Sequence, residues 1–298
     1  MKVSARCPAK LNLGLRVTGQ RDNGYHELDT LFCAVDLFDE LEIETREAPG
    51  YALRVTDKIG TGLDVPATDD NLVCRALRSL CGEDSGFGLR LIKAIPAGGG
   101  LGGGSSDAAQ ALRCGRATMP EPVSDEQLAD LALRLGADVP FLIEGGLQRA
   151  VGVGEKLTAE AVAAPLWFVL VVPAFGTSTA TVFRQYATTR STQSASFEDL
   201  RAASIHVDGL PFDLGNDLEP PAFVVEPRLE RLARELRRVV PDLALSGSGS
   251  TMFCVRTDEA SRDRVFDEIR QCLDPQSGVR LIRCGGPIVV DPLEIEDG

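Results

Sequence analysis

The sequence predicts an α+β fold with two layers, divided between two domains. The chain has 298 residues, twice the ~150 residues of a typical domain. Strand-like segments cluster near the N-terminus and mix with helices afterwards, without a regular βαβ alternation. An alanine-rich stretch over 155–165 ends in proline and marks the candidate boundary. We therefore predict one domain over residues 1–156 and a second over residues 157–298.

The first strand is predicted over residues 11–17, where apolar residues occupy alternate positions. Alternation with a period of two indicates a strand with one buried face. Lys10 and Asn12 then share the face opposite to the leucines. Turn-forming residues follow at 19–24. Further strand-like segments lie near 26–35, 40–45 and 51–56.

Three helices and one strand are predicted between residues 70 and 140. Asp70 or Asn71 can cap the first helix, and a strand follows over 87–95. A second helix, rich in small residues, runs from Ser105 to about residue 117. Ser124 begins the third helix with the spacing of a capping box, and Gly136 is a natural residue to end it.

From residue 147 onwards, predicted strands and helices are mixed. We predict strands near 147–153, 167–172, 251–256 and 279–284. Helical patterns lie near 178–187, 196–203, 227–239 and 258–273.

Charge and composition narrow the function classes. The formal net charge is −13, which argues against a protein that coats an extended polyanion such as DNA. The N-terminus does not have the pattern of a signal peptide, and the apolar stretch over 166–172 is far shorter than the ~20 residues of a membrane helix. Eight cysteines are scattered and form no C-x-x-C pair, so we expect reduced thiols rather than disulfides or a zinc site. We expect a cytoplasmic protein without nucleic-acid or membrane partners.

The strongest local signal is a glycine-rich loop, PAGGGLGGGSSDAA, over residues 96–109. Glycine permits left-handed backbone geometry and close approach of a ligand. The amides of such a loop and the N-terminus of the next helix together suit a phosphate chain. The loop is not a Walker A motif, because Gly104 stands where that motif needs lysine. It matches G-x-G-x-x-G only weakly, and it lies far from the first βα turn, where a Rossmann site would be.

Several motifs together make the sequence resemble the GHMP kinase superfamily. Besides the glycine loop, these are PAKLNL at 8–13, RDNGYH at 21–26, LGADVP at 135–140, GVGE at 152–155 and LSGSG at 245–249. The loop alone identifies only the superfamily. The first three of the other motifs are more specific, and they resemble the members that act on a cytidine-diphosphate-linked methylerythritol.

The resemblance implies a fold, a reaction and a cofactor. The fold is a ribosomal-S5-like N-terminal domain and a ferredoxin-like C-terminal domain, with the active site in the cleft between them. The reaction is ATP-dependent phosphorylation of the 2-hydroxyl of this small-molecule substrate in the non-mevalonate isoprenoid pathway. Mg²⁺ normally accompanies ATP. We expect a monomer or a weak homodimer, and no metal ligand is assigned beyond Ser106 as a candidate by position.

The resemblance also implies roles for individual residues. Asp138 is the expected general base for the substrate hydroxyl, and Lys10 supplies a point charge that steadies Asp138 and the transferring phosphoryl group. The expected substrate-binding residues are Asn12, Tyr25, His26, Phe183 and Gly247, with the aromatic rings holding the cytosine. The expected nucleotide-binding residues are Asn71, Lys93, Pro96, Gly98, Gly99, Gly100, Leu101, Gly102, Gly103, Gly104, Ser105 and Ser106.

Three alternatives stay open at this stage. Another GHMP kinase, acting on mevalonate or homoserine, would lack a requirement for cytidine. A Rossmann-type oxidoreductase would bind a dinucleotide. A nucleotide sensor without catalysis would show no phosphoryl transfer, although the Lys10 and Asp138 motifs speak against it.

Overall fold

The computed structural model describes residues 1–58, 67–162, 164–189 and 214–296. Within these residues the strands form two sheets, one of seven strands and one of four. Helices pack on both sheets, which confirms the predicted α+β class. The helix predicted over 196–203 lies outside the described residues.

The first sheet is built mostly from the N-terminal half. Its strands are β1 (Lys2–Gln20), β2 (His26–Thr45), β3 (Gly50–Asp57), β4 (Gly86–Lys93), β5 (Leu147–Gly152), β6 (Lys156–Ala159) and β11 (Glu294–Glu296). The order is β11-β1-β2-β4-β3, and β5 pairs with both β2 and β6. The segments predicted separately near 26–35 and 40–45 are one strand, β2, because the chain bulges between them without leaving the sheet.

Four helices accompany the first sheet. They are α1 (Leu72–Cys81), α2 (Gly103–Ala117), α3 (Asp125–Leu135) and α4 (Val139–Glu144). Asn71 caps α1, and Ser124 and Gln127 form the predicted capping box of α3. The sequence pattern missed α4, because six residues are too short to show a helical period.

The second sheet has the ferredoxin-like order. Its strands are β7 (Leu166–Val172), β8 (Ala244–Leu245), β9 (Met252–Arg256) and β10 (Arg280–Gly286), arranged β10-β7-β9-β8. Its helices are α5 (Thr179–Thr189), α6 (Glu219–Val225), α7 (Pro227–Leu236) and α8 (Glu259–Cys272). All its described pairings are antiparallel, and the ferredoxin-like C-terminal half is confirmed.

Strand β1 serves two hydrophobic cores. Val3, Ala5 and Cys7 pack in the core that also holds apolar residues of α1 to α4. The β1–β2 register shifts between Pro8 and Ala9. Before the shift the odd-numbered residues of β1 face this core, and after it the even-numbered residues do. Ala9, Leu11 and Leu13 now join the core that the second sheet shares, while Lys10 and Asn12 pair with Ala34 and Phe32 of the first core. The register shift therefore places two polar side chains on the helix-covered side.

The domain boundary predicted between residues 156 and 157 stays a prediction. The first sheet continues through β6 to Ala159, and the second begins at Leu166. Strand β11 pairs with β1, so the last described residues also lie with the first sheet.

All eight cysteines lie in described residues, and each is a free thiol, as the sequence predicts. In the part of the chain that the structure covers, every helix is too short or too polar to span a lipid bilayer.

Candidate active site

The glycine loop encloses a cavity in front of α2. Gly98, Gly100 and Gly102 have φ angles of 70°, 77° and 70°, a conformation that disfavours residues with a side chain. The helix begins at Gly103, two residues earlier than predicted, and Gly102 is its capping residue. A cavity of about 430 Å³ is lined by the predicted loop residues 96–105, together with Asn71 and Lys93. Its size falls in the usual range for a small-molecule site.

The loop packs closely against a second glycine turn, residues 246–249. A Cβ atom at Gly100 would lie 2.6 Å from the carbonyl oxygen of Ser246. The amide of Thr251 donates to the carbonyl of Gly99 at 3.0 Å. Only glycine fits at position 100, and the backbone of one turn fixes the position of the other.

Lys10 lies at the centre of the site. Its Nζ atom is 3.5 Å from Oδ2 of Asp138 and donates to Oδ1 of Asn12 at 2.6 Å. Its backbone amide donates to the carbonyl of Leu101 at 2.9 Å, which ties β1 to the glycine loop. The side chain is 6% exposed, so the ammonium group faces the site with little competition from water.

Asp138 lies in the short turn between α3 and α4, immediately before α4 begins at Val139. It occupies the N-cap position of α4, but in the described structure its side chain accepts no capping hydrogen bond. The carboxylate is 32% exposed and faces Lys10. Asp138 is thus free of a structural duty that would hold its oxygens away from a ligand.

Asn12 connects the two sheets at the site. Its side-chain amide donates to Oγ1 of Thr30 at 2.9 Å, and its backbone amide donates to Oγ of Ser246 at 3.2 Å. A Cβ atom at Gly247 would lie 3.0 Å from Oδ1 of Asn12. Lys10, Asn12, Asp138 and Gly247 therefore lie together in the structure.

Aromatic rings gather beside the start of β2. The rings of His26 and Phe183 stack with centroids 5.0 Å apart and an angle of 24° between their planes. Tyr186, one helical turn beyond Phe183, approaches His26 edge-on at 5.8 Å. Tyr25 precedes this group and is 64% exposed. The structure thus joins two of the three predicted rings and leaves the third open to solvent.

Lys93 lies at the cavity wall but is paired with buried carboxylates. Its Nζ atom bonds to Asp39 and, at 2.5 Å, to Asp107. Although burial opposes it, these carboxylates raise the pKa of Lys93. Burial also raises the pKa of Asp107 to about 7, against the attraction of Lys93. Asp39 in addition accepts from the amides of Ala94 and Ile95, so the group anchors the chain just before the glycine loop.

Asn71 also has a structural duty, because its side chain accepts from the amide of Val73 and caps α1. The sequence analysis assigned no supporting role to a set of polar residues that hold the site together: Thr30, Asp39, Asp107, Ser246 and Thr251. Each needs a partner far along the chain, which local patterns do not reveal. Only Tyr186 carried a usable signal, since it lies three residues from Phe183 on one helix face.

The described residues of the site do not form a cluster of side chains that would bind a metal ion without a nucleotide. Among the described residues, no group of three or more His, Cys, Asp or Glu side chains is arranged around a common point. Ser106 at the start of α2 is fully buried, and its Oγ atom finds no hydrogen-bond partner in the described part of the chain. That hydroxyl is available to a ligand group with its own charge, such as a metal bound to phosphate.

Comparison with known proteins gives a consistent result. A model of the GHMP kinases N terminal domain matches residues 71–146. The 4-diphosphocytidyl-2-C-methyl-D-erythritol kinase of Mannheimia succiniciproducens is 39% identical over 88% of this chain and 82% of its own length.

Solved structures agree in fold. A crystal structure of 4-(cytidine 5'-diphospho)-2C-methyl-D-erythritol kinase is similar with a TM-score of 0.73 and 33% identity, covering 95% of this chain and 99% of the other. Homoserine kinase from Cytophaga hutchinsonii has a TM-score of 0.72 at 16% identity, covering 98% of this chain and 96% of the other. The second likeness speaks for the fold alone.

Proposed function

The chain belongs to the 4-diphosphocytidyl-2-C-methyl-D-erythritol kinases, a family of GHMP kinases, and on that premise we propose how its residues perform the reaction. It transfers the γ-phosphoryl group of ATP to the 2-hydroxyl of 4-(cytidine 5'-diphospho)-2-C-methyl-D-erythritol, in the non-mevalonate route to isoprenoid precursors. The observation that carries the assignment of roles is the 3.5 Å contact of Lys10 with Asp138 beside the glycine loop.

Asp138 is the general base in this proposal. It accepts the proton of the 2-hydroxyl as the hydroxyl oxygen forms a bond to the γ-phosphorus and the bond to ADP breaks. Lys10 lies 3.5 Å from Asp138 and, from the same position, offers positive charge to the transferring phosphoryl group. Lys10 is held by its side-chain bond to Asn12 and its backbone bond to Leu101, so its position beside Asp138 is set before the substrate arrives.

The nucleotide belongs in the cavity of the glycine loop. Three glycines with positive φ and the N-terminus of α2 suit a phosphate chain, so the residues present fit ATP. Asn71 and Lys93 contribute to the wall, and Lys93 acts mainly by fixing the loop. Mg²⁺, when bound with ATP, neutralises phosphate charge, and the unpartnered hydroxyl of Ser106 is the protein group that suits it.

The cytidine end of the substrate belongs at the aromatic group. Phe183 and His26 offer aromatic surface and ring edges on which a pyrimidine can stack. The exposed ring of Tyr25 is available to pack on the other side of the base. Asn12 and Gly247 lie between this group and Lys10 in the proposal, near the diphosphate and the sugar alcohol.

We further propose that the enzyme works in the cytoplasm on this small molecule, as a monomer or weak homodimer. The net charge of −13 supports the exclusion of nucleic acid. Analytical ultracentrifugation at several protein concentrations tests the oligomeric state.

Steady-state kinetics test the main proposal. Wild-type protein is expected to release ADP with the cytidine-linked substrate, whereas Asp138→Asn is expected to lower kcat by roughly 10²–10⁴-fold, the usual contribution of a general base. Phosphorylation of homoserine or mevalonate with higher kcat/KM would contradict the substrate. Unchanged turnover in Asp138→Asn would contradict the base.

A further inference from the structure

The segment 215–217 docks on β1 beside the active site. The amide of Leu15 donates to the carbonyl of Gly215 at 3.0 Å, and the amide of Asp217 donates back to the carbonyl of Leu15 at 2.9 Å. Asp217 also accepts from Arg16 and from the amide of Val17, each at 2.9 Å. The segment is thus attached to the strand that carries Lys10 and Asn12.

Asn216 extends from this segment to the second glycine turn. Its Nδ2 atom donates to the carbonyl of Leu245 at 2.8 Å and to the carbonyl of Gly247 at 2.7 Å. Its Oδ1 atom accepts from the amide of Leu218 at 2.8 Å, at the start of α6. One side chain therefore makes three hydrogen bonds, and two of them hold the turn on both sides of Ser246.

The turn that Asn216 holds reaches the proposed catalytic group. The Oγ atom of Ser246 accepts a hydrogen bond from the backbone amide of Asn12. A Cβ atom at Gly247 would lie 3.0 Å from Oδ1 of Asn12, so this residue of the turn also packs closely against Asn12. The same turn lies against Gly100 of the nucleotide loop. A movement of the turn would therefore change the position of Asn12 relative to the glycine loop, and Asn12 is the hydrogen-bond partner of Lys10.

We propose that Asn216 is a positioning residue for phosphoryl transfer. It fixes the turn 246–249 of the second sheet against β1 of the first, and in this way aligns Asn12 and Lys10 with the nucleotide loop. The inference rests on the proposed function, because it assigns Asn216 to that site. It touches neither substrate nor nucleotide in this role.

Asn216→Asp is the decisive variant. Aspartate keeps an oxygen for the amide of Leu218, so the start of α6 stays capped, but it cannot donate to the two carbonyls of the turn. We expect kcat to fall roughly tenfold to a hundredfold, as for a small misplacement of a reacting group. KM for ATP should change much less, because the walls of the nucleotide cavity remain.

Glu219→Gln is the matched control. Glu219 lies in the first turn of α6, and its carboxylate pairs with Arg237 rather than with β1 or the glycine turn. Its loss removes an ion pair from the same region, so it is expected to lower the unfolding temperature without lowering kcat. If Glu219→Gln lowers kcat as much as Asn216→Asp does, general loosening of the region explains both and the inference is wrong.

Hydrogen exchange without ligands separates this inference from the proposed function. Asn216→Asp should speed exchange of the amides of Gly249 and Thr251, which donate to Ser246 and Gly99 in the wild type. Exchange and kcat both equal to wild type would overturn the inference. An inactive wild type would instead refute the proposed function, and the exchange result would still decide whether Asn216 holds the turn.

Discussion

Replacing Gly102 with alanine tests whether the position of Lys10 limits catalysis. Gly102 has a φ of 70°, and a left-handed alanine costs about 1–2 kcal/mol. Its new Cβ atom would lie 2.8 Å from Cγ of Lys10. An ordinary contact between carbon atoms is ~3.5 Å or more, so the lysine stem must move by roughly 0.7 Å.

The backbone strain and the displacement of Lys10 have different consequences. Strain of this size lowers the unfolding temperature by a few degrees in a chain of this length. Displacing a catalytic group by about 1 Å can lower the rate about 10²-fold. We therefore expect Gly102→Ala to lower kcat by roughly 10- to 100-fold, far more than the loss of stability alone would do.

Gly146→Ala provides the control, because Gly146 has a similar φ of 77° and open space where its Cβ would lie. It carries the same strain without touching Lys10. ADP release and thermal unfolding are measured for both variants and for the wild type. The reasoning is refuted if Gly102→Ala keeps the wild-type kcat, or if Gly146→Ala loses as much activity.

Three further predictions concern the base site, pH and the thiols. Phe183→Leu removes the ring that stacks on His26, a contact of about 0.5–1.5 kcal/mol. KM for the cytidine-linked substrate should therefore rise about 2- to 13-fold, while KM for ATP stays unchanged. An equal rise in both KM values would contradict the placement of the cytosine base. Burial raises the pKa of Asp107 from 3.8 to about 7, so the folded protein binds this proton more tightly than the unfolded chain does. Its contribution to the free energy of unfolding is complete below pH ~4 and is lost as the pH rises towards 7; in denaturant titrations Asp107→Asn should flatten this decline, and an unchanged pH profile would count against it. Cys272 is the exposed thiol among eight cysteines, all in described residues. A thiol reagent should therefore label Cys272 in a first, rapid phase of its reaction with the native protein, and Cys272→Ser should remove this phase. A rapid phase that survives in Cys272→Ser would place a second thiol at the surface.

Much of the architecture was predictable because it follows local rules. The period of two over 11–17 correctly put Lys10 and Asn12 on one face. The capping residues Asn71 and Ser124 marked the starts of α1 and α3. These features depend on neighbouring residues, which a sequence displays directly.

What the sequence did not display depends on distant partners. The resemblance implied that Lys93 binds nucleotide, but it did not reveal the pairing of Lys93 with Asp39, which lies 54 residues earlier. Helix α4, which follows Asp138, is too short to show a helical period in the sequence. Contacts between the two sheets, such as Asn12 with Ser246, need the whole fold to be known.

The register shift after Pro8 divides β1 into two segments that should tolerate different amino-acid substitutions. Before it, Val3, Ala5 and Cys7 fill space among helices, so apolar replacements of similar volume should be accepted. After it, Lys10 and Asn12 belong to the site, and the chemistry of these side chains rather than their volume decides which replacements are accepted. Deleting Ala9, which lies between Pro8 and Lys10, would turn Lys10 towards the apolar core shared with the second sheet. We expect this deletion to abolish both folding and activity. In a library of insertions and deletions along this strand, that short interval should therefore be the least tolerant.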